Sequence, residues 1–128
     1  MTFDIQKPHS TPIFSRPNIS RTSSFSNTSL SESCLDLALI GEKFCITGDC
    51  KKGIRYFNRA IEIGTDDLTV LSAIYCQLGN AYFYLEDYNH SLEFHRHDLS
   101  LAQKMKDKFC QAKALGNLSV TLKCIEQV

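Results

Sequence analysis

The stretch "LGNAYFYLEDY", Leu78 to Tyr88, decides the fold. Its residues suit a helix, apart from a Gly-Asn pair near its start. Glycine inside a helix costs about 1 kcal/mol relative to alanine, and asparagine competes with the backbone for hydrogen bonds. Something must offset both. The nearest alternative is a strand over Tyr82-Phe83-Tyr84-Leu85, but no second strand is available to pair with it.

The glycine recurs. Gly41, Gly79 and Gly116 are 38 and 37 residues apart. Around them stand Leu37-x-x-Ile40-Gly41-x-x-Phe44, Tyr75-x-x-Leu78-Gly79-x-x-Tyr82 and Ala112-x-x-Leu115-Gly116-x-x-Ser119. A second set follows the first two glycines: Gly53, Phe57 and Ala60, matched by Ser91, His95 and Asp98. Small residues let two helix backbones approach closely, so Gly41 is expected to face Gly53, and Gly79 to face Ser91. That close packing offsets the cost of the glycine.

Cap signals divide the chain into helices. Ser33 with Asp36 is a capping box, and Leu35, Leu39, Phe44 and Ile46 follow it until Gly48. Asp49 caps a second helix carrying Ile54, Phe57 and Ile61, which Gly64 ends. Thr65-Asp66 is expected to open a third, running to about Leu85. Asp87 caps a fourth with Leu92, Leu99 and Ala102 on its apolar side. A fifth begins near Asp107 and contains Leu115, Leu118, Leu122 and Ile125. The fold class is all-α: about two and a half helix-turn-helix repeats over 34–64, 65–105 and a partial 107–128. Leu118, Leu122 and Ile125 cannot all be hidden by one neighbouring helix, which predicts marginal stability or self-association.

Residues 1–32 differ. All three prolines, Pro8, Pro12 and Pro17, lie there among dense Ser and Thr, and the segment is expected to be a disordered tail. It has no acidic residue from Ile5 to Ser31, as in mitochondrial transit peptides, but its prolines oppose the amphipathic helix these need. Arg21 stands three residues before Ser24, a spacing that basophilic kinases read.

Charge and composition exclude several functions. Lys plus Arg and Asp plus Glu number 14 each, so the net charge is zero, against a nucleic-acid binder. No apolar run is long enough to span a membrane, and no secretory signal is visible. Six cysteines at 34, 45, 50, 76, 110 and 124 show no zinc spacing and read as small apolar residues kept reduced. His90, His95 and His97 share one helix, with His95 and His97 on different faces, so neither a metal site nor a catalytic triad is expected. No cofactor is implied.

These repeats resemble the tetratricopeptide pattern. More closely, "DLTVLSAIYCQLGNAYFYL", "HDLSLA" and the paired Leu78-Gly79-Asn80 and Leu115-Gly116-Asn117 resemble the N-terminal tetratricopeptide region of the Leu-Gly-Asn-repeat, or Partner of Inscuteable, family of G-protein-signalling modulators. The resemblance covers residues 34 to about 123. It implies a non-catalytic scaffold of spindle orientation and cell polarity, cytoplasmic or at the cell cortex. Its partners would be Inscuteable-like and nuclear mitotic apparatus-like proteins. Inhibitory G-protein α subunits would bind only a longer form with GoLoco motifs, which this sequence lacks. Because the pattern stops inside a third repeat, a fragment or short form is expected.

In such arrays the first helix of each repeat lines a concave groove. Helix phase then places Ala38, Glu42 and Cys45, then Ala73, Cys76, Asn80 and Phe83, then Cys110, Lys113, Asn117 and Val120 in the peptide-binding groove. An asparagine amide both donates and accepts, so Asn80 and Asn117 could hold a peptide main chain whatever its side chains. The alternative is a tetratricopeptide adaptor of another class, such as a chaperone-tail receptor or transport adaptor. A chaperone-tail receptor would clamp an acidic C-terminus, which Glu42 would repel.

Overall fold

Side-chain caps set the helix starts in the computed structural model, which describes residues 33–127. The expectations for residues 1–32 fall outside the described residues. Helix α1 (Cys34–Ile46) starts at Ser33, whose hydroxyl accepts from the Asp36 amide while the Asp36 carboxylate accepts from the Ser33 amide. Helices α2 (Cys50–Ile63), α4 (Tyr88–Met105) and α5 (Lys108–Glu126) start at Asp49, Asp87 and Asp107, as their sequence signals predict. Each aspartate accepts from a backbone N–H that the first turn leaves unpaired.

Helix α3 (Leu68–Tyr84) corrects the expected start at Thr65-Asp66. Asp67 is its cap and accepts from the amides of Thr69 and Val70. Thr65 instead accepts from the Asp67 amide, closing a turn before the helix. Three adjacent cap-forming residues made the boundary ambiguous in sequence.

The two inner turns are copies. The Asp49 amide donates to the Phe44 carbonyl at 2.8 Å, and the Asp87 amide to the Tyr82 carbonyl at 2.9 Å. Each turn needs one residue with positive φ. Gly48 (98°) supplies it in the first, and Glu86 (63°) takes the same place in the second. A glutamate there is strained where a glycine is not.

Packing is sequential: α1 lies against α2, α2 against α3, α3 against α4 and α4 against α5, while α1 also touches α3. This is an all-helical, tetratricopeptide-like array of two helix pairs and a fifth helix. The main core gathers Leu37, Ala38, Ile54, Phe57, Ala60, Ile74, Leu78 and Ala81. Burying an aliphatic or aromatic side chain of this size is worth about 1.5–3 kcal/mol.

The repeat glycines sit at the helix crossings. A Cβ on Gly41 would lie 3.0 Å from the Gly53 carbonyl oxygen and 3.0 Å from the Phe57 ring, so Gly41 does face Gly53. A Cβ on Gly79 would lie 2.5 Å from the His95 ring. The closest partner of Gly79 is therefore His95, with Ser91 buried one turn earlier, rather than Ser91 itself. Phe57 and His95 hold matched positions 38 residues apart.

Two apolar faces differ from those expected. On α1 the buried face is Cys34, Leu37, Ala38, Gly41 and Glu42; Leu35, Leu39 and Phe44 are half-buried and Ile46 is exposed. On α4 it is Ser91, His95, Asp98 and Ala102, and Leu92 and Leu99 are only half-buried. The repeat alignment matches Ser91, His95 and Asp98 to Gly53, Phe57 and Ala60, whereas hydrophobicity picks out only Ala102, because three of the four buried residues are polar. At the open side of α5, Phe109 is 76% exposed, Leu115 53% and Leu122 44%, while Leu118 and Ile125 are half-buried.

Candidate functional site

The first helices of the repeats, α1, α3 and α5, meet through polar side chains. Gln77 Nε2 on α3 donates to Glu42 Oε2 on α1 at 3.4 Å. Further along α3, the Cys76 sulfur accepts from Asn80 Nδ2 at 3.9 Å. From α5 it accepts from Asn117 Nδ2 and from Lys113 Nζ, each at 3.7 Å. Asn80 from the same helix and Asn117 from α5 thus converge on one sulfur. The Oδ1 of Asn80 is buried and has no hydrogen-bond partner. A buried acceptor left unsatisfied costs about 1–3 kcal/mol, so it calls for a donor.

The sequence-derived groove residues fall into two sets. Ala38, Glu42, Ala73, Cys76, Asn80, Phe83 and Asn117 are buried. Cys45, Cys110, Lys113 and Val120 are half-buried. The row is therefore deeper than an open concave face would be: Asn117 bridges to Cys76 of the preceding repeat, while Asn80 bonds the same sulfur within α3. Sequence reasoning missed Gln77, Ser72 and Asp98. The Ser72 hydroxyl donates to the Asp98 carboxylate, and both side chains are buried between α3 and α4. The alignment of Asp98 with core Ala60 pointed to its burial, but no local pattern linked it to a serine 26 residues earlier.

Burial sets the electrostatics of this region. It raises the Asp98 carboxyl above the ordinary aspartate range, partly offset by the Ser72 hydrogen bond and the charge of Lys113. Burial also pushes the Cys76 thiol up to about 11, against the pull of Lys113. The Cys45 thiol is raised chiefly by its hydrogen bond with Cys50. None of these thiols is activated as a nucleophile, which would require a lowered pKa. None of the six cysteines forms a disulfide.

The three histidines of α4 serve packing. His95 is fully buried against Gly79. His90 stacks on Tyr82 at 5.0 Å and contacts the Asp87 carboxylate at 2.8 Å. His97 stacks on Tyr75 at 5.1 Å. Among the described residues no group of His, Cys, Asp or Glu could hold a metal ion. No helix among them is long and apolar enough to cross a membrane.

Paired helices crossing at small residues, with a polar row along the first helix of each pair, define a tetratricopeptide-like helical-repeat protein. The chain is homologous to a segment of the G-protein-signalling modulators. It is 55% identical over 93 residues to G-protein-signaling modulator 1 of Homo sapiens, which covers 73% of this chain and 14% of the human protein. It is 57% identical over 86 residues to the proteins of the same name from Mus musculus and Rattus norvegicus, covering 67% of this chain and 13% of each of theirs. The match therefore spans a small part of each relative's length. No protein-family model matches the chain.

Proposed function

We propose that this chain is a non-catalytic scaffold that binds an extended peptide along the row formed by α1, α3 and α5. The observation that carries the reading is the buried, unpartnered Oδ1 of Asn80, flanked by Asn117 and Lys113 from the next repeat. A peptide N–H is the donor such an oxygen lacks, reached once the side chains covering it move aside, and an amide can hold main chain without regard to side chains. Of the other residues in the row, Cys110, Lys113 and Val120 are half-buried, and Lys113 reaches the Cys76 sulfur.

Homology to signalling modulators supports protein partners. By the family resemblance these are Inscuteable-like and nuclear mitotic apparatus-like proteins, in spindle orientation and cell polarity, in the cytoplasm or at the cell cortex. Binding of inhibitory G-protein α subunits belongs to forms carrying GoLoco motifs. The test is fluorescence anisotropy with labelled peptides from the two partner classes. Asn80→Ala and Asn117→Ala are each expected to weaken binding by about tenfold, as loss of a buried hydrogen bond would. Unchanged affinity in both variants overturns the reading.

A further inference from the structure

A second surface, on the outer side of α2, has the chemistry of a binding site. From Lys51 to Ile61 the chain carries Lys51, Lys52, Arg55 and Arg59 and no acidic residue. Lys52, Arg55 and Arg59, with Tyr56 and Asn58, line a hollow of about 390 Å³ open to solvent. Two of the cations are held by rings. Lys52 Nζ lies 5.0 Å over the Phe44 ring, Phe44 stacks on Tyr56 at 5.5 Å, and the Arg59 guanidinium lies 5.7 Å over Tyr56. The order is cation, ring, ring, cation across the α1–α2 seam. Such stacking lowers the entropy lost when the cations engage a ligand. Neither Lys52 nor Arg55 forms an ion pair with a carboxylate among the described residues.

The fold does not need these cations. Shifted by 38 residues, the same ladder recurs in the second repeat. His90 stacks on Tyr82, Tyr82 on Phe94 at 5.7 Å, and His97 lies 6.0 Å from Phe94. There imidazoles stand where Lys52 and Arg59 stand, and Glu93 stands where Arg55 stands. The rings close the helix pair in both repeats, whereas the cluster of cations belongs to the first alone.

We propose that this face of α2 binds an acidic segment of a partner protein. Lys52 and Arg59 are separated by about 10 Å along the helix. Two carboxylates three residues apart on an extended chain of polyproline II form lie on one side and span about 9 Å. Arg55, exposed at the middle of this face, offers a planar fork suited to a carboxylate. A hollow takes projecting side chains, whereas a flat lipid surface would reach only its rim. This site lies away from the row on α1, α3 and α5, where Glu42 opposes an acidic ligand.

The probe is a fluorescein-labelled peptide, Glu-Gly-Gly-Glu-Gly-Gly-Glu, titrated into the whole chain, with its glutamine counterpart as control. Binding to the glutamate peptide alone is expected, weakening as salt is raised. The double variant Arg55→Gln/Arg59→Gln should lose about tenfold in affinity with an unchanged circular dichroism melt. Arg96→Gln, at an exposed position on α4, should lose nothing. Equal binding of the glutamine peptide, no effect of the double variant, or an equal loss in Arg96→Gln overturns the proposal. Binding to phosphatidylserine vesicles that depends on Arg55 and Arg59, with none to the peptide, overturns the assignment to a protein segment.

Discussion

The glycine at the repeat position gives a test in which one substitution has opposite signs in one molecule. Alanine in place of a helix-interior glycine gains about 1 kcal/mol from backbone entropy. At Gly116 nothing lies within 4 Å of an added Cβ, so that gain stands alone. Gly116→Ala should stabilise the chain by about 0.5–1 kcal/mol, or raise Tm by roughly 2–8 °C for a domain of this size. At Gly79 the same Cβ would lie 2.5 Å from a fully buried His95 ring that has no room to withdraw. Overpacking of this kind costs about 1–3 kcal/mol, which outweighs the gain and lowers Tm. At Gly41 the obstacle includes the Gly53 carbonyl oxygen at 3.0 Å, so the backbone of α2 as well as the Phe57 ring must give by a few tenths of an ångström. The assay is thermal and urea unfolding followed by circular dichroism. A double variant Gly79→Ala/His95→Ala should show strong non-additivity, because both changes act on one contact. If Gly116→Ala destabilises as much as Gly79→Ala, or if all three glycines accept alanine equally, the close-approach explanation of the motif is wrong.

Three further outcomes follow from the interior. Phe57→Ala removes a fully buried ring from the main core and should cost about 3–5 kcal/mol, enough to unfold much of the chain in a urea titration at 25 °C. Asp98 has a raised folded-state pKa, so its contribution to stability is present below the ordinary aspartate pKa and is lost as pH rises through the folded value. Asp98→Asn should therefore gain most over wild type at neutral pH, with the difference shrinking in urea melts as pH falls toward the ordinary aspartate range. Cys76, 2% exposed and with its thiol pushed up to about 11, should react with iodoacetamide only on unfolding, as mass spectrometry of the labelled chain would show, while half-buried Cys110 and Cys124 label before it.

Much of the fold was legible because its signals are local. Aspartate and serine caps act within one turn, so four of the five helix starts follow from Ser33, Asp49, Asp87 and Asp107. The repeat register carried information that hydrophobicity lacked. It aligned Ser91, His95 and Asp98 with Gly53, Phe57 and Ala60, and all three are buried although none is an obvious core residue. The third helix start was missed because Thr65, Asp66 and Asp67 can all cap, and the choice depends on where α3 meets α2. The polar row was only half legible. Helix phase chose Asn80, Asn117 and Cys76, but their depth comes from contact between helices 37–41 residues apart. The partnership of Ser72 with Asp98 has the same non-local origin.

Where a bound peptide lies is best read by site-specific photocrosslinking. A benzophenone amino acid is placed at Val120, beside the polar row, and in a second variant at Asn58, on the outer side of α2. Each is irradiated with a labelled peptide from an Inscuteable-like protein and analysed by mass spectrometry. Crosslinks from Val120 and none from Asn58, abolished by Asn80→Ala, are the expected result. Crosslinks from Asn58 alone, or crosslinks from Val120 that are indifferent to Asn80, would contradict a peptide-binding row on α1, α3 and α5.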